Sequence, residues 1–129
     1  MPRSARGGTA EVEYIRFPPS GCFGCSQSNP SSLGLRFYRD GERVACDHLV
    51  ETRFDGAPGI VHGGVQAAIL DEVMCAVVTF LHGRRVVTGE LTLRYRRPCP
   101  SRAPIRAVAW IEEARSRYAR VRGEIRDGA

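Results

Sequence analysis

A histidine and two glycines stand directly before the longest apolar stretch of the chain, in the order Val61-His62-Gly63-Gly64. If a helix begins here, its first N–H groups have no intrahelical acceptor and lie at the positive end of the helix dipole. Glycine has no Cβ, so a substrate can approach the backbone closely at these positions. Such amides can hold a carbonyl oxygen that becomes an oxyanion. A tight turn at the start of the helix explains the two glycines equally well.

A pair of carboxylates, Asp71 and Glu72, interrupts the same apolar stretch. An ionised carboxylate in apolar surroundings is costly unless it is paired or exposed, and burial disfavours its charged form. A general base that accepts a proton is the chemistry that such a group suits. The alternative is a salt bridge to an arginine at a subunit contact. The residues favour a functional role for at least one of the pair, but the pattern does not indicate whether it is Asp71 or Glu72.

Residues 59–83 predict one long central helix that carries both groups. At 100° per residue the large apolar side chains share one broad face, and the opposite strip is small: Gly64, Ala68, Cys75 and Thr79. A helix that is apolar nearly all round belongs inside a protein. The Asp-Glu pair in its middle makes it a poor membrane span, so no membrane partner is predicted.

Alternation of apolar and polar residues predicts five strands around this helix. Two precede it, starting at Leu33 and at Val44 and joined by an Asp40-Gly41 turn; three follow it, over residues 87–95, 105–111 and 119–125. Short connections favour antiparallel pairing. We therefore predict an α+β protein in which an antiparallel sheet wraps around one helix, as a single domain over residues 17–129 after a flexible polar tail over residues 1–16.

The net charge indicates the class of binding partner, and the cysteine content indicates the cellular compartment. The net charge of +5 favours anionic partners, either nucleic acid or a phosphate-bearing small molecule. Few aromatic residues interleave with the arginines, which argues against nucleic acid. Five cysteines and no apolar leader at the N-terminus predict free thiols in a reducing cytoplasm.

The CxxC pair Cys22 and Cys25 is the nearest approach to a metal motif. A closed zinc site needs four ligands, and no second CxxC exists. Cys46, His48 and Cys99 are scattered along the chain, so no metal site is predicted.

The length of the helix constrains any site that uses both its glycines and its carboxylates. Gly64 and Asp71 are seven residues apart, or about 10 Å along the axis. A reacting carbonyl must lie roughly 3 Å from its oxyanion donors, with the base or its water equally close. If both groups act together, they come from different subunits. This predicts a homodimer with two composite sites at the interface.

Three stretches, PGIVHGGVQAAILDE, CFGC…NP…LGLRF and VTGELTLRYRRPCP, resemble the PaaI-like hotdog-fold acyl-CoA thioesterases of the 4-hydroxybenzoyl-CoA thioesterase superfamily, over residues 22–127. The HGG segment with an acid nine positions after its histidine is the more specific part. The resemblance implies a hotdog fold, a homodimer or dimer of dimers, and hydrolysis of a coenzyme A thioester without metal or cofactor.

The resemblance also implies roles for individual residues. The Gly63 amide polarises the thioester carbonyl, and His62 shapes or polarises the same pocket. Asp71 from the partner subunit acts as general base or nucleophile, and Thr88 orients the water. The predicted substrate-binding residues are Gly64, Glu72, Arg94 and Arg96. The two arginines can hold the phosphates of coenzyme A.

Two departures from the family pattern support a second hypothesis. Relatives often carry Asn or Gln in the loop before HGG, where this chain has Asp55 and Gly56, and an acid is unfavourable beside an oxyanion unless it points away. The sequence also ends where relatives turn into one last strand, so we expect either a sheet that is short by one strand or a truncated form of the protein. The second hypothesis is a non-catalytic hotdog module that binds acyl thioesters or serves in assembly. A hydratase or dehydratase is disfavoured by the HGG-x₆-D spacing.

Overall fold

The computed structural model describes residues 12–128. The elements run in the order β1 (Tyr38–Asp40), β2 (Arg43–Leu49), a 3₁₀ turn (Thr52–Phe54), α1 (Gly63–His82), β3 (Pro104–Ala114) and β4 (Ala119–Asp127). The strands form one antiparallel sheet in the order β1-β2-β3-β4. This confirms the predicted α+β architecture of an antiparallel sheet with one long helix.

Glycines stand at two sharp changes of chain direction. Gly41, in the turn between β1 and β2, has a φ of 65°, in the left-handed region that favours glycine. Gly83 has the same φ at the end of α1, and its N–H donates to the Thr79 carbonyl at 2.8 Å. That left-handed residue satisfies one of the last helical carbonyls and ends the helix.

The core lies between α1 and one face of the sheet. The helix contributes Ile69, Val73, Ala76, Val77 and Val78, and the sheet contributes Val44, Cys46, Ile105, Ala107 and Ala109, all of them buried. By length and mean hydropathy (1.7), α1 would also qualify as a membrane span. Its buried residues pack on the sheet, and 28% of the apolar window is buried in one copy of the chain.

One predicted strand is wrong: residues 87–95 do not join the sheet. Within residues 12–128, β4 pairs with β3 alone. Thr88 and Tyr95 instead reach α1 at Asp71 and Gly63, so this segment runs antiparallel to the helix. The two residues are an odd number apart, which breaks the two-residue alternation of a strand. Its alternating sequence fits a strand, but pairing also needs a neighbouring edge, and this chain places none beside it.

The first predicted strand is shorter than its alternation indicated. Leu33, Leu35 and Phe37 are buried, but only residues 38–40 pair with β2. Ile15 donates its N–H to the Phe37 carbonyl at 2.7 Å, and Tyr14 bridges to Tyr38. The end of the predicted tail therefore pairs with the chain at β1, whereas residues 1–11 lie outside the described residues.

Gly123 lies where β4 packs closely against the helix. A Cβ at this position would lie 2.9 Å from Met74 Cγ and 3.4 Å from the Val108 carbonyl oxygen. We expect Gly123→Val to lower the free energy of unfolding by about 1–3 kcal/mol, because overpacking forces the helix away from the sheet. Chemical denaturation measures the loss.

Glu124→Val is the matched control, because it makes a valine on the exposed face of the same strand. We expect it to change the free energy of unfolding by no more than about 0.5 kcal/mol. Equal losses in the two variants would show that contact with Met74 is not the cause.

Candidate active site

The start of α1 is held by its own capping residue, His62. The His62 Nδ1 atom accepts the N–H of Gly64 at 2.8 Å, and the His62 carbonyl accepts the N–H groups of Val65 and Gln66 at 3.0 Å. The His62 N–H in turn donates to the Phe54 carbonyl at 2.9 Å. The helix start is thus tied to the 3₁₀ turn before it, and three of the N–H groups in its first turn already have acceptors.

The peptide group between Gly63 and Gly64 is fixed at both ends. Its N–H donates to His62 Nδ1, and its carbonyl, that of Gly63, accepts from the Tyr95 hydroxyl at 2.8 Å. A Cβ on Gly63 would lie 3.6–3.7 Å from the Tyr95 phenol group, so the phenol lies directly over this glycine. The peptide plane at the helix start therefore has little freedom to rotate.

The Gly63 amide is the open donor at this end of the helix. Within the described part of the chain, it forms no hydrogen bond. The Gly64 amide, by contrast, is occupied by His62. Of the two predicted glycines, Gly63 is the one whose N–H can donate to an incoming carbonyl oxygen. Gly64 has no side chain that would obstruct the approach.

The same contact determines the tautomer of His62. Because Nδ1 accepts a hydrogen bond, the proton of the neutral ring lies on Nε2. The His62 side chain is exposed, so this Nε2–H can donate to a ligand at the helix start. The contact supports the polarising role that the resemblance implies for His62.

Asp55, the unusual acid before the HGG segment, is directed into its own loop. Its Oδ2 atom accepts the Gly59 N–H at 3.0 Å, and its Oδ1 atom is buried without a partner among the described residues. The acid therefore stabilises the turn that precedes the helix. Neither carboxylate oxygen of Asp55 forms a hydrogen bond with Gly63.

Asp71 lies against Thr88, the residue that the resemblance pairs with it. The Thr88 hydroxyl donates to Asp71 Oδ1. The Cys75 thiol is 3.6 Å from the same hydroxyl, and burial raises the pKa of Cys75, although the Thr88 contact opposes the shift. A carboxylate, a hydroxyl and a neutral thiol thus form one polar group on the half-buried side of α1.

Glu72 lies apart from that group, against the CxxC loop. Both of its carboxylate oxygens are 3.5 Å from the Cys22 sulfur, and the Cys22 thiol donates to them. Burial, the Cys22 contact and the charge of Glu72 together raise the pKa of Cys25 to about 12. No contact brings Glu72 to Gly63, so its predicted role in substrate binding stays a prediction.

The two halves of the predicted site are at different places on one helix. Gly63 and Asp71 are eight residues apart, which is about 12 Å at the rise of an α-helix. The structure therefore unites His62 with Gly63 and Gly64, and Asp71 with Thr88. One copy of the chain does not bring these two halves to the same reacting atom.

The remaining predicted residues, Arg94 and Arg96, are exposed on either side of Tyr95. In the described chain neither has a carboxylate within 4 Å, so both charges are available to an anion. Tyr95 itself was missed by the sequence analysis. Its position between two predicted phosphate-binding arginines could have indicated a functional role. A tyrosine in an apparent strand, however, is more often a packing residue.

The capping contact of His62 is open to test with two variants. We expect His62→Ala to lower the free energy of unfolding by about 1 kcal/mol, because the Gly64 amide loses its acceptor. His62→Asn should retain most of that stability, since an asparagine oxygen can accept the same N–H. Thermal and chemical denaturation of both variants measure the difference. Equal losses would contradict the capping role.

Comparison with known proteins places this geometry in a family. A family model described as the thioesterase superfamily matches residues 58–129, which include α1 and both halves of the candidate site.

Solved structures of the same kind are similar to the chain. A thioesterase superfamily protein is 27% identical with a TM-score of 0.72, over 79% of this chain and 53% of its own, so the chain spans about half the length of that protein. A phenylacetic acid degradation-related protein from Ralstonia eutropha JMP134 is 26% identical with a TM-score of 0.65, over 72% of this chain and 74% of its own. The PaaI protein from the E. coli phenylacetic acid degradation operon, 18% identical, matches in fold with a TM-score of 0.65, over 72% of this chain and 67% of its own.

The family match covers more than half of the chain, and the arrangement of sheet and helix agrees with that of the solved members. The chain belongs to the thioesterase superfamily and has the hotdog fold of its PaaI-like members.

Proposed function

We propose that this protein is a thioesterase that hydrolyses an acyl-CoA thioester to the free acid and coenzyme A. The observation that carries the proposal is the open amide of Gly63 at the start of α1, on a helix whose middle holds Asp71 against Thr88. Membership of the thioesterase superfamily supports thioester hydrolysis in general. We propose in addition that coenzyme A carries the acyl group and that the residues named here have the roles described below.

In the proposed reaction, the thioester carbonyl oxygen accepts the Gly63 N–H. Water held by Thr88 and Asp71 adds to the carbonyl carbon, and Asp71 takes its proton. The negative charge that develops on the oxygen is stabilised by the Gly63 amide, the helix dipole and the Nε2–H of His62. The oxyanion then re-forms the carbonyl as the carbon–sulfur bond breaks. The departing sulfur takes the proton from Asp71, so coenzyme A leaves as the thiol and Asp71 is again a carboxylate.

The spacing along α1 requires two copies of the chain. Gly63 and Asp71 of one copy are about 12 Å apart along the axis, whereas the reacting carbonyl must be close to both. A homodimer in which Gly63 faces the partner's Asp71 satisfies the reaction and gives two equivalent sites. The small residues Ala68, Cys75 and Thr79 would let two helices approach closely.

The segment over residues 84–99 supports the same dimer. Val87 is 93% exposed, Leu91 37% and Tyr95 54%, and all three lie on this one segment. Apolar side chains exposed together mark a surface that a partner covers. A second copy at this segment would cover these side chains and would lie next to Thr88 and Tyr95.

Charge favours coenzyme A as the carrier. Arg94 and Arg96 are exposed and flank Tyr95 in the sequence, and the Tyr95 hydroxyl is bound at Gly63. The chain carries a net charge of +5, which attracts a polyanionic substrate. Guanidinium groups bind phosphate oxygens in a bidentate manner, so these two arginines are suited to hold the phosphates of coenzyme A.

Thiol release tests the proposal directly. Wild type and Asp71→Asn are assayed with a thiol-reactive dye across short, long and aromatic acyl-CoAs. We expect turnover of at least one substrate, with a fall of about 10²-fold or more in Asp71→Asn, because asparagine cannot accept the proton of water.

The control is Glu42→Gln, which removes one negative charge from the exposed β1–β2 turn and should retain wild-type turnover. Acyl-CoA binding without turnover by wild type would favour the non-catalytic hotdog module. Turnover that survives in Asp71→Asn would remove Asp71 from the role of base.

A further inference from the structure

The CxxC loop and α1 bring two sulfurs and a carboxylate together at a place that the proposed reaction does not use. The Sγ atoms of Cys22 and Cys25 and a carboxylate oxygen of Glu72 all lie within 4.8 Å of one another. The Cys22 sulfur is 3.5 Å from each Glu72 oxygen. All three residues are half-buried, and Glu72 is separated from the two cysteines by about fifty residues of sequence.

The loop is shaped to fit against the carboxylate. Gly24 is buried, and a Cβ there would lie 2.3 Å from the Cγ and Cδ atoms of Glu72, so only glycine fits without displacing that side chain. The loop is also anchored from behind, because Leu35 donates its N–H to the Gly24 carbonyl at 2.9 Å and Leu33 donates to the Phe23 carbonyl at 2.7 Å. The contact between loop and helix is therefore part of the fold.

Backbone amides are directed at one of the sulfurs. The N–H groups of Gly24 and Cys25 donate to Cys22 Sγ at 3.3 and 3.4 Å. These two contacts fix the position of the Cys22 sulfur beside Glu72. This is an observation independent of the clustering of the three side chains.

The cluster has acceptors and no cation. Within residues 12–128, Glu72 forms no ion pair with an arginine or histidine, and its side-chain partners are the thiols of Cys22 and Cys25. A half-buried carboxylate without a cation is unfavourable. Tetrahedral zinc, with sulfur at 2.3 Å and a carboxylate oxygen at about 2.1 Å, places a sulfur and an oxygen roughly 3.6 Å apart. The Cys22 sulfur is 3.5 Å from each Glu72 oxygen, which agrees with that spacing.

We propose that Cys22, Cys25 and Glu72 bind one thiophilic divalent cation, zinc in the first place, with a fourth position open to water or another group. Two thiolates and one carboxylate are a donor set that suits zinc. Binding releases the protons of the two thiols to solvent. The sequence analysis counted only cysteine and histidine as ligands and so did not find the third donor.

The site would join the CxxC loop to the helix without entering the reaction. Successive residues of an α-helix point about 100° apart, so Glu72 is directed away from Asp71 and Thr88. The cation is a structural link between residues 22–25 and α1. This proposal does not rest on thioesterase activity.

Cobalt provides a spectroscopic test on the full chain. The protein is reduced, freed of metal with a chelator and titrated with Co²⁺. We expect one equivalent to bind per chain, with a sulfur-to-cobalt charge-transfer band, intense visible bands typical of tetrahedral geometry, and displacement of both by Zn²⁺. Cys22→Ser and Cys25→Ser should each reduce the charge-transfer band. Glu72→Gln, which keeps both sulfurs, should weaken binding at least tenfold.

Cys75→Ser is the matched control, because it removes a half-buried thiol from the same helix, one turn from Glu72, and should leave cobalt binding unchanged. Absence of the charge-transfer band in the reduced wild type would overturn the proposal. A band that Glu72→Gln leaves unaltered would overturn it as well. Formation of a Cys22–Cys25 disulfide in a protein that binds no metal when reduced would assign the pair to redox chemistry instead.

Discussion

The fixed rise of the α-helix is the constraint on which the arrangement of the site depends. Gly63 and Asp71 belong to one continuous helix that ends at Gly83 and packs on the sheet through Ile69, Val73 and Val77. Such a helix cannot bend its first turn towards its middle. The proposed oxyanion donor and the proposed base, about 12 Å apart, therefore serve a single carbonyl only if a second copy supplies one of them.

Preorganisation at the helix start follows from a small number of contacts. His62 occupies the Gly64 amide, Tyr95 holds the Gly63 carbonyl, and the Gly63 amide is left as the donor. Because the peptide plane is held before a substrate arrives, little reorganisation is needed when charge develops on a bound oxygen. Segment 84–99 supplies both Tyr95 and Thr88, so it connects the two halves of the site along the helix.

Patterns within one element were sufficient to predict much of the fold. The apolar face of α1, the Asp40-Gly41 turn and the last two strands follow from periodicity and turn chemistry, which are local. Whether residues 87–95 form a strand could not be predicted from local patterns. A strand must pair with a neighbouring edge, and the composition of the segment does not reveal whether such an edge exists. The contact of Glu72 with Cys22 was missed for the same reason, since it joins distant parts of the chain. The partnership of Thr88 with Asp71 came from the family resemblance, and the structure places the two in contact.

Purified heterodimers of two defective chains test the composite site most directly. Gly63→Val, whose side chain would obstruct the approach to the amide, and Asp71→Asn are co-expressed with different tags and isolated by two affinity steps. Each variant alone should be inactive. A heterodimer holds one intact site and one doubly altered site, so we expect about half of the wild-type turnover per dimer. An inactive heterodimer would show that both residues act within one chain and would contradict the account.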